Sequence, residues 1–295
     1  MGILPKQVLS IAVLVSMAAA SPAPKNGKPR WLVHYAPARV VNGSPVLFRI
    51  STPKKASSLS GKWLDHEVSF RFEPKSSEWF GLAGVSLETK PGVYQMELKA
   101  ETASGQKLTY RQGIRVLRQR YPRITLTVAG RYTAPDPEQL KAIERDKQVK
   151  VEAFKTVSDD REWEGSFQAP VKADVSGLFG VQRVFNGTVQ STHQGLDFRV
   201  NTGTPVVAIN SGTVLLAQSL YFEGNCVVID HGQGLLSLYL HLSEIKVKPA
   251  DRVAKGEEIG LSGGTGRATG PHLHLAVRWQ GIYLNPEALL TLKFP

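Results

Sequence analysis

The sequence predicts a mostly β chain in three parts: a sandwich-like N-terminal β unit, a linker helix, and a C-terminal unit of antiparallel strands. Three observations carry this. Between about residues 31 and 130 apolar and polar residues alternate in short runs, as in Tyr94, Met96, Leu98 and Ala100 against Gln95, Glu97 and Lys99. A period of two gives a strand one buried and one wet face. Pro135-Asp136-Pro137 then breaks the pattern, and from Trp163 the composition shifts to Gly, Val and Leu, with tight loops marked by glycine.

The elements follow in order. Lys6, the apolar run Val8 to Val15 and the small residues Ala18-Ala19-Ala20 have the layout of a signal peptide over residues 1–20. Export is therefore expected, to a periplasmic, extracellular or cell-wall-associated location. No later stretch is apolar for the length a membrane helix needs, so no stable membrane insertion is expected. The net charge of +11 favours anionic partners. Export makes nucleic acid an unsuitable one and leaves anionic lipid and the acidic cell wall, between which net charge does not choose.

In the first β unit Val68, Phe70 and Phe72 repeat the alternation, as do Ile124, Leu126 and Val128. Short strands punctuated by Pro53, Pro74 and Pro91-Gly92 suggest a small sandwich of immunoglobulin-like type. At the helix, Asp136 can cap, Pro137 suits the first turn and Gln139 completes a capping box. A linker helix is expected within 135–160, lightly docked because its apolar face is sparse. The second unit, 163–295, should place strands near 205–210, 212–217, 226–231, 235–241 and 272–278. Cys226 is the only cysteine. It rules out an intramolecular disulfide and reads as a small buried side chain on a strand.

Histidine placement points to the chemistry. Five of the seven histidines lie between 193 and 274: His193, His231, His241, His272 and His274. On a strand, His272 and His274 share one face while Leu273 and Leu275 take the other. His193-Gln194-Gly195-Leu196-Asp197 reads as a turn entering a strand, with Gly195 bending the chain so that imidazole and carboxylate converge. His193, Asp197 and His274 are then three candidate N/O ligands, the number that leaves a catalytic zinc site one open position. His241 adds a strand histidine nearby.

These residues together resemble a known family. His193-x-x-x-Asp197, Tyr239-x-His241-Leu242-Ser243 and Gly270-Pro271-His272-Leu273-His274 are similar to the M23 peptidases, the LytM- or lysostaphin-type peptidoglycan endopeptidases. The resemblance spans about 165–290 and takes in Phe179-Gly180-x-x-Arg183, Gly203-Thr204-Pro205-Val206, Asp230-His231-Gly232 and Asn285-Pro286. More loosely, the preceding units resemble the subgroup with an immunoglobulin-like domain ahead of the peptidase.

The resemblance implies one zinc ion per chain on His193, Asp197 and His274, with His241 and His272 lining the attacking water and the scissile amide. His272, two residues from a ligand, is the expected general base. The implied substrate is the peptide part of peptidoglycan. All five positions are intact, which argues against the relatives that have lost their ligands and only bind the wall or regulate amidases. Two differences follow the last ligand. Leu275 replaces a frequent aromatic residue and should face away from the metal, and Ala276 replaces a frequent Glu on the face of His274.

The remaining features read plainly. Asp230-His231-Gly232 is expected to be a strand-to-turn corner, and His34 and His66 ordinary surface residues. Gly263-Gly264-Thr265-Gly266 lacks the Lys-Ser/Thr of a P-loop and is expected to lead His272 into the cleft. Arg183 is a candidate for a substrate carboxylate. Lys246 to Gly260 resembles a barrel-sandwich motif of lipoyl-like and phosphocarrier domains, a competing reading that leaves His193 and Asp197 without a role.

Overall fold

The structure, a computed structural model, describes residues 30–155, 158–187 and 189–295; the leader expected at 1–20 lies outside the described residues. The first unit contains β1 (Leu32–Ala36), β2 (Pro45–Ser51), β3 (Ala56–Trp63), β4 (His66–Ser69), β5 (Arg71–Glu73), β6 (Glu78–Gly84), β7 (Gly92–Thr102) and β8 (Lys107–Val116). They form two four-stranded antiparallel sheets, ordered β1-β2-β6-β5 and β4-β3-β7-β8. Met96, Leu98 and Ala100 of β7 are buried, as the alternation requires. Phe48 of one sheet meets Trp63 of the other edge-on, with centroids 5.4 Å apart. Burying a side chain of this size stabilises the fold by ~1.5–3 kcal/mol.

Two alternating runs end up elsewhere than a single continuous strand would put them. Val68 and Phe72 lie on strands of different sheets, because the chain crosses from one sheet to the other at Phe70. The Phe70 ring fits there only because Gly61 and Gly81 carry no side chain: a Cβ would meet it at 3.0 and 2.8 Å. Of the run Ile124, Leu126 and Val128, the first two lie on β9 (Arg123–Leu126), outside both sheets, and Val128 follows its end. Strand β9 pairs in parallel with β11 (Gln182–Phe185), which pairs on its other side with β12 (Val189–Thr192).

Helix α1 (Pro137–Ala153) starts with the expected capping box, Asp136 and Gln139 each accepting from the other's backbone N–H. Its docking is firmer than its sequence implies. Asp146 is buried and accepts from the Tyr221 N–H at 2.6 Å, and Lys150 pairs with Glu223.

The C-terminal unit contains β10 (Val175–Gly177), β13 (Gly195–Phe198), β14 (Pro205–Val207), β15 (Gly212–Leu220), β16 (Gly224–Asp230), β17 (Leu235–Leu242), β18 (Glu244–Ile245), β19 (Arg252–Val253), β20 (Glu258–Leu261), β21 (Leu273–Trp279), β22 (Ile282–Leu284) and α2 (Pro286–Thr291). Its main sheet runs β10-β13-β21-β17-β16-β15-β19, with β22 also on β21, and all its pairings are antiparallel. One face of this sheet buries Leu196, Val227, Tyr239 and Leu275 in the main core. The other buries Cys226, Val228, Leu238 and Ala276. Leu275 therefore faces away from the histidines, and Cys226 packs as a small apolar group.

His66 is more than a surface residue. Its ring lies 5.1 Å from Trp279 and its Nδ1 3.2 Å from Gln280 Oε1, joining the first unit to the end of β21. His34 is exposed. Among the described residues no helix is long and apolar enough to cross a membrane.

Candidate metal centre

Register alone brings two of the predicted ligands together. Strands β13 and β21 pair so that Asp197 lies directly opposite His274. His193 follows β12 and reaches the same point across the short link into β13. The donor atoms form a tight triangle: His193 Nε2 to Asp197 Oδ1 is 2.9 Å, His274 Nδ1 to Asp197 Oδ1 is 2.8 Å, and His193 Nε2 to His274 Nδ1 is 3.0 Å. All three residues are buried, between 3% and 8% exposed.

Gly195 contributes by what it lacks. Its backbone is ordinary strand paired with Ala276, so it does not supply the expected bend. A Cβ there would fall 2.3 Å from His274 Nε2, and one at Gly177 would fall 2.3 Å from Asp197 Oδ2. The two ligands lie flat against bare backbone.

Hydrogen bonds decide which nitrogen each ring presents. A carbonyl can only accept, so the ring nitrogen that faces one carries the proton. His193 Nδ1 donates to Leu178 O at 2.6 Å, His241 Nδ1 to Thr265 O at 2.8 Å, and His272 Nδ1 to Gly270 O at 2.8 Å. The nitrogen left to face the cleft on each of these rings is Nε2, which is bare whenever the ring carries a single proton. His193 Nε2, His274 Nδ1 and an Asp197 oxygen are three electron-pair donors facing one point, which suits a cation. Ligands ~2.1 Å from a tetrahedral zinc ion stand about 3.4 Å apart, so a small expansion of this triangle would seat one. The donor set therefore fits zinc.

Electrostatics keep the set in its binding form. Burial raises the Asp197 pKa, but the His193 and His274 rings packed against it outweigh burial and hold the carboxyl well below its ordinary value. Burial lowers His274 to about 4 against the pull of Asp197, and lowers His241 to about 3, helped by His274 and His272. Both rings are neutral near pH 7.

His241 and His272 complete the cleft. Their rings are 4.8 Å apart, and His272 Nε2 lies 3.9 Å from Asp197 Oδ1. A regular β17 would have turned His241 to the core side with Tyr239. Instead the pairing slips by one residue between Val227–Tyr239 and Asn225–Leu242, and His241 takes φ 65. This bulge turns the imidazole into the cleft and returns Leu242 to the core. Residue types alone do not signal it. As expected, the Gly263–Gly266 loop positions His272, whose N–H donates to Gly263 O at 2.9 Å. It also holds His241, through Thr265.

Arg183 differs from its expected use. Its Nη2 donates to Asp197 Oδ2 at 2.5 Å, so it holds the carboxylate ligand rather than a substrate group. His231 belongs to a corner, as expected. It is fully buried, with Nδ1 donating to Ser211 O at 2.7 Å and Nε2 at 2.8 Å from the Ser237 hydroxyl. The cleft around the five residues holds about 470 Å³ and is walled by Ile124, Leu126, Phe222 and Arg267 among others.

Comparison with known proteins agrees with this geometry. The model of peptidase family M23 matches residues 191–286. Peptidoglycan DD-endopeptidase ShyA of Vibrio cholerae is 42% identical over 112 residues, which are 38% of this chain and 26% of that protein. The DD-carboxypeptidase/endopeptidase Mpg of Neisseria meningitidis is 42% identical over 97 residues, 33% of this chain and 22% of that protein. The chain thus aligns with about a quarter of the length of these relatives. A crystal structure from Pseudomonas aeruginosa, assigned to peptidase M23, superposes with a TM-score of 0.65 at 28% identity. That match covers 85% of this chain and 95% of the other.

Proposed function

Because the model of peptidase family M23 matches residues 191–286, we propose that the chain is a zinc-dependent endopeptidase of that family that hydrolyses peptide bonds of bacterial peptidoglycan. The observation that carries the reading is the convergence of His193, Asp197 and His274 donor atoms within 3.0 Å of one another, beside two further histidines with bare Nε2 atoms. The names of the relatives point to a D,D peptide bond as the one cut.

His193 Nε2, Asp197 Oδ1 and His274 Nδ1 would hold the ion, and Arg183 keeps the carboxylate turned to present Oδ1. Zinc at this point supplies Lewis-acid chemistry, acidifying a water and polarising a peptide carbonyl. His272 takes the proton from the attacking water at Nε2 and returns it to the leaving nitrogen. Its Nδ1–H stays on Gly270 O throughout and fixes the ring. His241, held neutral by burial, accepts a hydrogen bond at Nε2 and orients the water or the amide.

The first β unit and α1 act as the frame that supplies β9 to the catalytic unit, and the protein is exported to the compartment that holds its substrate. The positive charge keeps it on the anionic wall in a salt-sensitive way. The test is a digest of purified peptidoglycan by the chain, with and without chelator, followed by mass spectrometry of the released peptides. Cleavage at a D,D bond, lost on chelation and restored by zinc, is expected. Intact peptidoglycan in the presence of bound zinc would refute the reading.

A further inference from the structure

The loop that fixes His241 and His272 also carries an arginine that the chemistry above does not use. The Arg267 N–H donates to Phe222 O at 2.8 Å, and Tyr132 Oη donates to the carbonyl of Gly266 at 2.5 Å, so the backbone is pinned on both sides. The guanidinium carbon lies 4.6 Å from the Phe222 ring centroid and 4.7 Å from that of Phe185. Both rings and the arginine wall the cleft that contains the metal-binding triangle.

What distinguishes this side chain is that two aromatic rings hold it while its polar fork is left open. Among the described residues its guanidinium makes no hydrogen bond or ion pair. Of the other cations of the cleft wall, Arg183 is committed to Asp197 and Lys150 to Glu223, and Arg199, unlike Arg267, is not clamped between aromatic rings among the described residues. Glu223 attracts Arg267 at longer range, but its carboxylate is already taken by Lys150. A guanidinium stays charged at any working pH, and its planar fork matches a carboxylate in two parallel hydrogen bonds. Clamping by two rings removes most of the entropy that an arginine loses on binding, and partly desolvates the fork.

We propose that Arg267 receives a free carboxylate of the bound peptide, so that the site selects peptides carrying such a group beside the scissile amide. This rests on the endopeptidase reading of the same cleft. It adds a specificity element on the substrate side, two residues along the chain from Thr265, whose carbonyl holds His241.

The test uses N-acetyl-D-alanyl-D-alanine and its C-terminal carboxamide, which differ only in the carboxylate. Each is titrated by NMR into the full chain, zinc-loaded and again after chelation. The wild-type protein should bind the acid about tenfold more tightly than the amide, the scale of one charge-assisted hydrogen-bonded pair. Arg267→Gln should abolish that preference in both metal states, and Arg267→Lys should recover part of it. Equal binding of acid and amide by the wild type, no binding of either, or a preference that survives in Arg267→Gln would each overturn the proposal. Thermal unfolding of the variants guards against misfolding, since Phe185 and Phe222 remain to fill the site. Failure of the parent reading shows separately, as peptidoglycan left intact by the wild-type chain.

Discussion

Replacing Gly195 with alanine adds one methyl group at the point where the metal site is least able to accept it. The new Cβ would stand 2.3 Å from His274 Nε2, 2.5 Å from its Cε1 and 2.5 Å from the Leu275 carbonyl oxygen. Ordinary contacts between such atoms are ~3.5 Å, so about 1 Å of movement is needed. The Leu275 oxygen cannot give way easily, because β21 is paired on both sides, with β13 and β17. The His274 ring must therefore recede and carry its Nδ1 out of the triangle with His193 and Asp197. Zinc sites tolerate ligand displacements of only about 0.2 Å. A loss of zinc affinity of ten- to a hundredfold is expected, or roughly 1.4–2.7 kcal/mol. The assay is competition for zinc against a chromophoric chelator, with Gly130→Ala as control, since a Cβ at Gly130 meets nothing within 4 Å. An affinity for Gly195→Ala within twofold of wild type would refute the packing argument.

Other outcomes follow from the same geometry. His274→Ala should lose zinc, whereas His272→Ala should keep it while losing most of kcat, typically 10²–10⁴-fold for a general base; near-wild-type turnover by His272→Ala removes it from that role. Burial lowers His231 to about 4. Its folded pKa is then below its unfolded one, so its contribution to stability is complete above about pH 6.5 and is lost as pH falls toward 4. That contribution is on the order of 3 kcal/mol, and a His231 imidazole resonance titrating near pH 6.5 in the folded protein would contradict it. Asp146→Ala leaves the Tyr221 N–H without its partner, and chemical denaturation should show a loss of ~1–3 kcal/mol; an unchanged midpoint would mean that α1 is held by other contacts.

How far the sequence could be read depended on whether a residue's role followed from its local period. His274 was legible because it sits on a regular strand, where alternation fixes its face; Asp197 was approached through a bend at Gly195, whereas its place opposite His274 comes from strand pairing that one segment does not announce. The capping box of α1 was legible because Asp136 and Gln139 act within one helical turn. His241 was harder, since its aim depends on a bulge that no residue type announces. The crossing at Phe70 was hidden for a similar reason: its two glycine supports, Gly61 and Gly81, lie on separate strands. Asp146 looked like one more charge on a solvated helix, and only its long-range partner at Tyr221 makes it a docking group. Arg183 stood in a recognised motif, yet its Asp197 partner comes from a different strand.

The parallel pairing of β9 with β11 has a consequence for the chain as a polymer. In the order β12-β11-β9, β11 is an interior strand only because β9 arrives from more than fifty residues upstream. A fragment starting after α1 would leave one side of β11 as a raw edge, a row of open N–H and C=O groups that invites any extended segment to dock. Two copies could satisfy it by exchanging their β9 strands, because a strand supplied from outside the catalytic unit can be supplied by a neighbour. The excised unit is thus a template for self-association, and its solution behaviour would differ from that of the whole chain even with every metal ligand in place.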